Sequence, residues 1–144
     1  MSSTPVVAVF NTSEDTTDLL RFVLEHAGFT VVTAYTPTLR DGRVDFSAFM
    51  HEHQPAVIVY DVSIPYEQNW RLFEHFRDSP ACQDVGFVVT TTNVQQLRKV
   101  AGPCPELIEI IGKPYDLDAV VRAVRACLKE SGQSREDSAE GLRH

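Results

Sequence analysis

Residues 56–65 read Ala-Val-Ile-Val-Tyr-Asp-Val-Ser-Ile-Pro, an apolar run that ends at one carboxylate, Asp61, with Pro65 four residues later. A short run that is apolar at every position and rich in β-branched residues predicts a strand covered on both faces, as in a parallel sheet. Ligand sites in open α/β sheets lie outside the carboxyl ends of the strands. We therefore expect Asp61 to meet Lys113, which follows another such run, at one edge of a sheet.

Four further runs have the same character, and segments of helical period separate them. The predicted strands are 6–10, 30–34, 56–60, 85–90 and 107–111. The predicted helices are 14–27, 45–53, 70–76, 93–101 and 117–129. Five βα units joined by right-handed crossovers predict an α/β fold of three layers, with a doubly wound five-stranded parallel sheet in the flavodoxin-like order 2-1-3-4-5.

Length and composition favour a single domain over residues 5–130. A chain of 144 residues with 43% hydrophobic content can bury one core of ordinary size. Residues 131–144 contain one large apolar side chain, Leu142, so burial cannot offset their ordering entropy and a flexible polar tail is predicted. The connection over 36–45, with turn signals at Pro37 and Asp41-Gly42, indicates either a tolerated surface insertion or a loop for a partner.

Charge and cysteine content exclude several classes of function. A net charge of −7 disfavours binding to nucleic acid or to an anionic membrane surface, since both need clustered cations. Cys82, Cys104 and Cys127 have no metal-ligand spacing, and no apolar run reaches membrane-spanning length. No nucleophile–base pair or catalytic metal cluster indicates an independent enzyme. We expect a cytoplasmic protein with protein partners.

Four positions have a characteristic joint spacing: Asp61, Pro65, Thr91 and the Lys113-Pro114-Tyr115 motif. In this spacing residues 5–129 resemble the receiver domain of bacterial response regulators, the CheY-like domain of two-component phosphorelay signalling. The resemblance implies that Asp61 accepts a phosphoryl group, which the Thr91 hydroxyl and the Lys113 ammonium stabilise. It also implies a cis peptide before Pro114, and a magnesium ion held by Asp61 and the backbone carbonyl of Ser63.

The sequence departs from the receiver pattern at several positions. Receivers carry two acidic residues after the first strand, and here those positions hold Asn11 and Thr12. One carboxylate with neutral oxygens should hold Mg²⁺ weakly or not at all. The aromatic switch position is Ile110, and Asn69 stands where receivers usually have glycine. These departures indicate an atypical receiver, or pseudo-receiver, that lacks the acidic pair.

Three hypotheses follow. The first is a pseudo-receiver that binds proteins constitutively, and the second is a competent receiver that takes a phosphoryl group onto Asp61. For both, the resemblance implies a histidine kinase or phosphotransfer protein, or a downstream signalling protein, as partner, and a homodimer through the face formed by the fourth helix, fifth strand and fifth helix. Catalysis is then limited to self-phosphorylation and dephosphorylation at Asp61. The third is a flavin- or nucleotide-binding protein whose phosphate site is the hydroxyl-rich segment 11–17.

Overall fold

The computed structural model describes residues 4–91, 93–102 and 117–129 with their side chains, and residues 108–112 and 130–142 as backbone. The strands are β1 (Val6–Asn11), β2 (Thr30–Tyr35), β3 (Val57–Asp61), β4 (Gly86–Thr91) and β5 (Ile108–Gly112). The helices are α1 (Glu14–His26), α2 (Thr36–Arg40), α3 (Phe46–His53), α4 (Tyr66–Arg77), α5 (Val94–Ala101) and α6 (Leu117–Leu142), with a 3₁₀ turn at Pro80–Cys82.

The five strands form one parallel sheet in the order β2-β1-β3-β4-β5, which confirms the predicted topology. The register aligns Val9 of β1 with Val59 of β3, and Val59 with Val88 of β4. These three side chains are at most 1% exposed. Apolar side chains on both faces of the central strands require cover on both sides, and this is why the chain forms three layers.

Alternation along β3 divides the core into two clusters. Val57 and Val59 face α1 and α6, whereas Ile58 and Tyr60 face α3 and α4. On the α3 and α4 side the core is rich in aromatic rings, and the Tyr60 ring contacts the Phe73 ring with centroids 5.1 Å apart. The predicted strand of uninterrupted apolar residues therefore lies at the centre of the domain.

Local sequence signals predict the start of α1 correctly but miss the start of α4. The Ser13 side chain caps α1 by accepting a hydrogen bond from the Thr16 N–H. Helix α4 begins at Tyr66, four residues before the predicted start at position 70. Its first turn is polar, so the apolar period that marks a helix becomes visible only at Trp70.

The connection over 36–45 contains the short helix α2, which the sequence interpretation treated as irregular. Pro37 lies in its first turn, where the fixed φ of proline suits a helix. Leu39, 5% exposed, anchors α2 to the core. The predicted turn at Asp41-Gly42 follows directly: Asp41 caps the end of α2, and Gly42 has a φ of +77°.

The C-terminal segment is helical in its backbone, and its flexibility stays a prediction. Residues 131–142, predicted as a flexible tail, continue the α6 helix to Leu142. Adding a residue to an existing helix supplies one hydrogen bond without a new nucleation step, so an existing helix is extended more easily than a new one is started. The domain boundary at residue 130 stays a prediction. No described helix combines the length and the low polarity that crossing a bilayer would require.

Candidate functional site

The Asp61 carboxylate is held at the carboxyl end of β3 by a buried hydroxyl. The Thr90 Oγ1 donates a hydrogen bond to Asp61 Oδ1 at 2.7 Å. Asp61 is 4% exposed and Thr90 is fully buried. The sheet register pairs these two residues, and register partners on parallel strands point their side chains to the same face. A donor to a carboxylate forms a charge-assisted bond, the stronger class of hydrogen bond.

Thr91, which its spacing from Lys113 identified as the phosphoryl-stabilising hydroxyl, occupies a different environment from Thr90. Successive side chains of a strand point to opposite faces, so Thr91 is out of phase with Asp61 and Thr90. Its Oγ1 accepts a 3.4 Å hydrogen bond from the Asn93 N–H at the start of α5. The contact made by Thr90 was missed because the sequence offers two adjacent threonines and only the register distinguishes them. The phosphoryl-stabilising role of Thr91 stays a prediction.

Asn11 ends β1 beside the end of β3, since the register pairs the preceding residues Phe10 and Tyr60. The Asn11 side chain is 2% exposed. Its Oδ1 accepts a 2.9 Å hydrogen bond from the Ser13 N–H, which orients the amide. The buried Nδ2 has no hydrogen-bond partner among the described residues. Thr12, the second substituted position, is exposed.

The loop between β3 and α4 is tied to the first turn of the helix. Asn69 Nδ2 donates to the Ser63 carbonyl oxygen at 2.7 Å, and both residues are half-buried. The Asn69 N–H donates to the Pro65 carbonyl at 3.1 Å. The Ile64–Pro65 peptide is cis. The Ser63 carbonyl, which the resemblance implies as a magnesium ligand, thus already accepts a hydrogen bond.

Tyr60 lies behind the site on the α3 and α4 side of β3. Burial, and secondly the negative charge of Asp61, raise the pKa of the Tyr60 phenol far above its ordinary value, while the charge of Arg40 acts in the opposite direction. Its hydroxyl has no partner among the described side chains. The phenol therefore remains neutral, and its role is to fill the aromatic core below Asp61.

Several predicted site residues lie outside the described residues. Lys113 and Pro114 are among them, so their convergence with Asp61 and the predicted cis peptide stay predictions. Ile110 is described as backbone in β5, where it pairs with Val89. In the part of the chain with described side chains, no three His, Cys, Asp or Glu residues form a group suited to a metal ion.

No protein-family model and no curated protein sequence matches the chain. Solved structures do match. Chemotaxis protein CheY4 of Vibrio cholerae is 19% identical, with 87% of this chain and 99% of that chain covered and a TM-score of 0.65. A response regulator from Thermotoga maritima is 20% identical, with 88% and 99% covered and a TM-score of 0.66. A response regulator receiver protein from Pseudomonas putida is 19% identical, with the same coverages and TM-score. The chain therefore has the CheY-like fold of response regulator receiver domains.

Proposed function

We propose that this chain is an atypical receiver domain of two-component signalling that acts by binding proteins, with Asp61 at the phosphoacceptor position of a degenerate pocket. The fold supports the signalling class. The atypical part rests on the ends of β1, β3 and β4 and on the β3–α4 loop. Among the described residues at these strand ends and in this loop, Asp61 is the one carboxylate. Asp61 Oδ1, Asn11 Oδ1 and the Ser63 carbonyl oxygen each accept a hydrogen bond from within the protein.

The residues present do not fit a tightly bound magnesium ion. Mg²⁺ prefers hard anionic oxygens and gives up water reluctantly. At Asn11 a neutral amide replaces a carboxylate, and its oxygen is engaged by the Ser13 N–H. Its other terminus is a buried N–H₂ group, which repels a cation. We therefore propose that the pocket binds Mg²⁺ weakly or not at all and derive no chemistry from it.

A phosphorylation-competent receiver is the second candidate, and the placement of Asp61 favours it. In that reaction an Asp61 carboxylate oxygen attacks the phosphorus of a phosphohistidine, and the P–N bond to the imidazole breaks. The Thr90 hydroxyl, bonded to Asp61 Oδ1, would hold the carboxylate in a fixed orientation for this attack. Lys113 would add the positive charge that the reaction requires.

The flavin- or nucleotide-binding alternative has less support. A phosphate at the start of α1 would need free backbone N–H groups. The Ser13 N–H is bonded to the Asn11 side chain, and the Thr16 N–H to the Ser13 side chain. Glu14 and Asp15, both exposed in the first turn of α1, would repel the anion.

The proposed partners follow from the signalling class and from charge. We propose a histidine kinase, a phosphotransfer protein or a downstream signalling protein as partner, in the cytoplasm. The net charge of −7 argues against nucleic acid and anionic membranes. The homodimer face corresponds to α5, β5 and α6 in this chain, and its use stays a proposal. We propose that the chain has no independent enzymatic activity.

Intact mass after incubation with a small phosphodonor and Mg²⁺ tests the choice between the two candidates. The atypical receiver predicts an unchanged mass. An adduct of about 80 daltons, one phosphoryl group, that is absent from the Asp61→Asn variant would establish the competent receiver instead. A typical receiver domain in the same reaction verifies that the donor is active.

A further inference from the structure

We infer that the Asn69 side-chain amide does at the Ser63 carbonyl what a divalent cation would do there: it binds the oxygen and holds the β3–α4 loop in place. The inference rests on the proposed function in one respect, namely that this pocket corresponds to a receiver metal site. Asn69 is the residue that makes the loop independent of a cation.

The Asn69–Ser63 contact has the geometry of a firm hydrogen bond. Its 2.7 Å length is at the short end of the range for an N–H donor and a carbonyl acceptor. The amide orientation is determined by its partner, because the reversed amide would bring its own oxygen against the Ser63 oxygen. Asn69 therefore presents a donor to the carbonyl that a cation would otherwise contact.

Backbone bonds hold both ends of the same loop. The Val62 N–H donates to the Thr90 carbonyl at 2.9 Å, just after β3 ends. At the other end the Asn69 N–H donates to the Pro65 carbonyl. With its ends fixed in this way and its middle fixed by the Asn69 side chain, the segment from Val62 to Pro65 needs no ion for its conformation.

Three oxygens that a cation would approach are thus engaged by donors of the protein itself. They are Asn11 Oδ1, Asp61 Oδ1 and the Ser63 carbonyl oxygen, and their donors are Ser13 N–H, Thr90 Oγ1 and Asn69 Nδ2. An entering cation must displace or share these bonds. Restoring the missing carboxylates should therefore recover only part of a receiver's cation affinity, and removing the Asn69 amide should recover more.

A substitution series measures this effect directly. The background variant is Asn11→Asp with Thr12→Asp, which supplies the acidic pair, and Asn69→Ala is then added. Trp70, the one tryptophan of the chain, is buried next to Asn69, so its fluorescence reports Mg²⁺ titrations. We expect the added Asn69→Ala to tighten Mg²⁺ binding about three- to tenfold, the equivalent of one hydrogen bond.

Gln68→Ala in the same acidic background is the matched control, because Gln68 is an exposed amide in the same turn of α4. A purely structural role for Asn69 predicts lower stability with no gain in Mg²⁺ affinity. Equal affinities with and without Asn69→Ala, or an equal gain from Gln68→Ala, would overturn the inference. So would submillimolar Mg²⁺ binding by the unmodified chain.

If the Asn69→Ala variant does not fold, Asn69→Gly serves as the second variant, since receivers usually carry glycine at this position. The inference and the proposed function fail in different ways. A phosphoryl adduct on the unmodified chain would contradict the atypical receiver but would leave the Asn69 series unchanged. Conversely, an unaltered Mg²⁺ affinity in the series would remove the role of Asn69 without creating an adduct.

Discussion

Thr90 and Asp61 join the ends of two neighbouring strands through a buried hydrogen bond of 2.7 Å from the hydroxyl to the carboxylate. The contact exists because the register of β3 and β4 places the two residues side by side with their side chains in phase. It makes Thr90, rather than its neighbour Thr91, the hydroxyl that positions Asp61 in this structure.

Thr90→Val removes that donor while keeping the shape of the side chain. We expect a loss of about 1.5–3 kcal/mol in the free energy of unfolding, the usual effect for a hydrogen bond to a charged group. Thr91→Val is the matched control, since its hydroxyl accepts one longer bond, at 3.4 Å, from a neutral N–H. Urea denaturation of both variants provides the measurement. A larger loss of unfolding free energy for Thr91→Val would contradict the assignment of Thr90, and not Thr91, to the face of β4 that contacts Asp61.

Gly86→Ala should destabilise the contact between β4 and α6. A Cβ at position 86 would lie 2.8 Å from the Cβ of Cys127, closer than real Cβ atoms approach. We expect a loss of about 1–3 kcal/mol from overpacking. Cys127→Gly removes the opposing Cβ, so in a double-mutant cycle the two changes together should cost less than their sum, by about 1 kcal/mol. Simple additivity would mean that α6 does not lie on β4 at this point.

Asp45→Ala tests the cap of α3. The Asp45 carboxylate accepts a 2.9 Å hydrogen bond from the Ala48 N–H, and its loss should cost about 1 kcal/mol. Asp41→Ala is the matched control, because Asp41 caps α2 through its backbone N–H, which alanine keeps, and its side chain forms exposed ion pairs with Arg40 and Arg43. This change should cost less than about 0.5 kcal/mol. Thermal and urea unfolding should both rank the variants in this order, and a reversed order would refute the assigned cap.

Cys82 should make stability depend on alkaline pH. Burial raises the pKa of its thiol from 9.0 to about 11. Because the folded pKa is the higher one, the stabilisation is complete below pH 9 and is lost as the pH rises toward 11. Between pH 8 and pH 10 this thiol should account for at most about 1 kcal/mol, since nearby solvent screens part of the effect.

The measurement for Cys82 is the difference in unfolding free energy between the two pH values, compared with the same difference in Cys82→Ala. The variant should lose less stability on going to pH 10. Its lower stability at pH 8, from the small cavity, does not enter this comparison. Identical pH dependence in both proteins would show that the thiol titrates normally.

Local chemistry was sufficient for much of the fold. Runs of β-branched residues locate the five strands to within one residue at each end, and Ser13, Asp45 and Asn93 cap the helices that follow them. These signals act within a few residues, so they can be read directly along the chain. The helix α2 and the early start of α4 were missed because they depend on Pro37 and on a polar first turn rather than on an apolar period.

The sequence by itself determined that Asp61 lies at the carboxyl end of a buried parallel strand. A short run that is apolar at every position needs cover on both faces, and a central parallel strand provides it. Only the tertiary structure decided which groups meet that carboxylate and its loop. Whether Thr90 or Thr91 faces Asp61 depends on strand register. Whether Asn69 reaches Ser63 depends on where α4 begins. Strand register and the start of α4 both depend on packing between segments that are distant in sequence, so a local sequence pattern does not predict them.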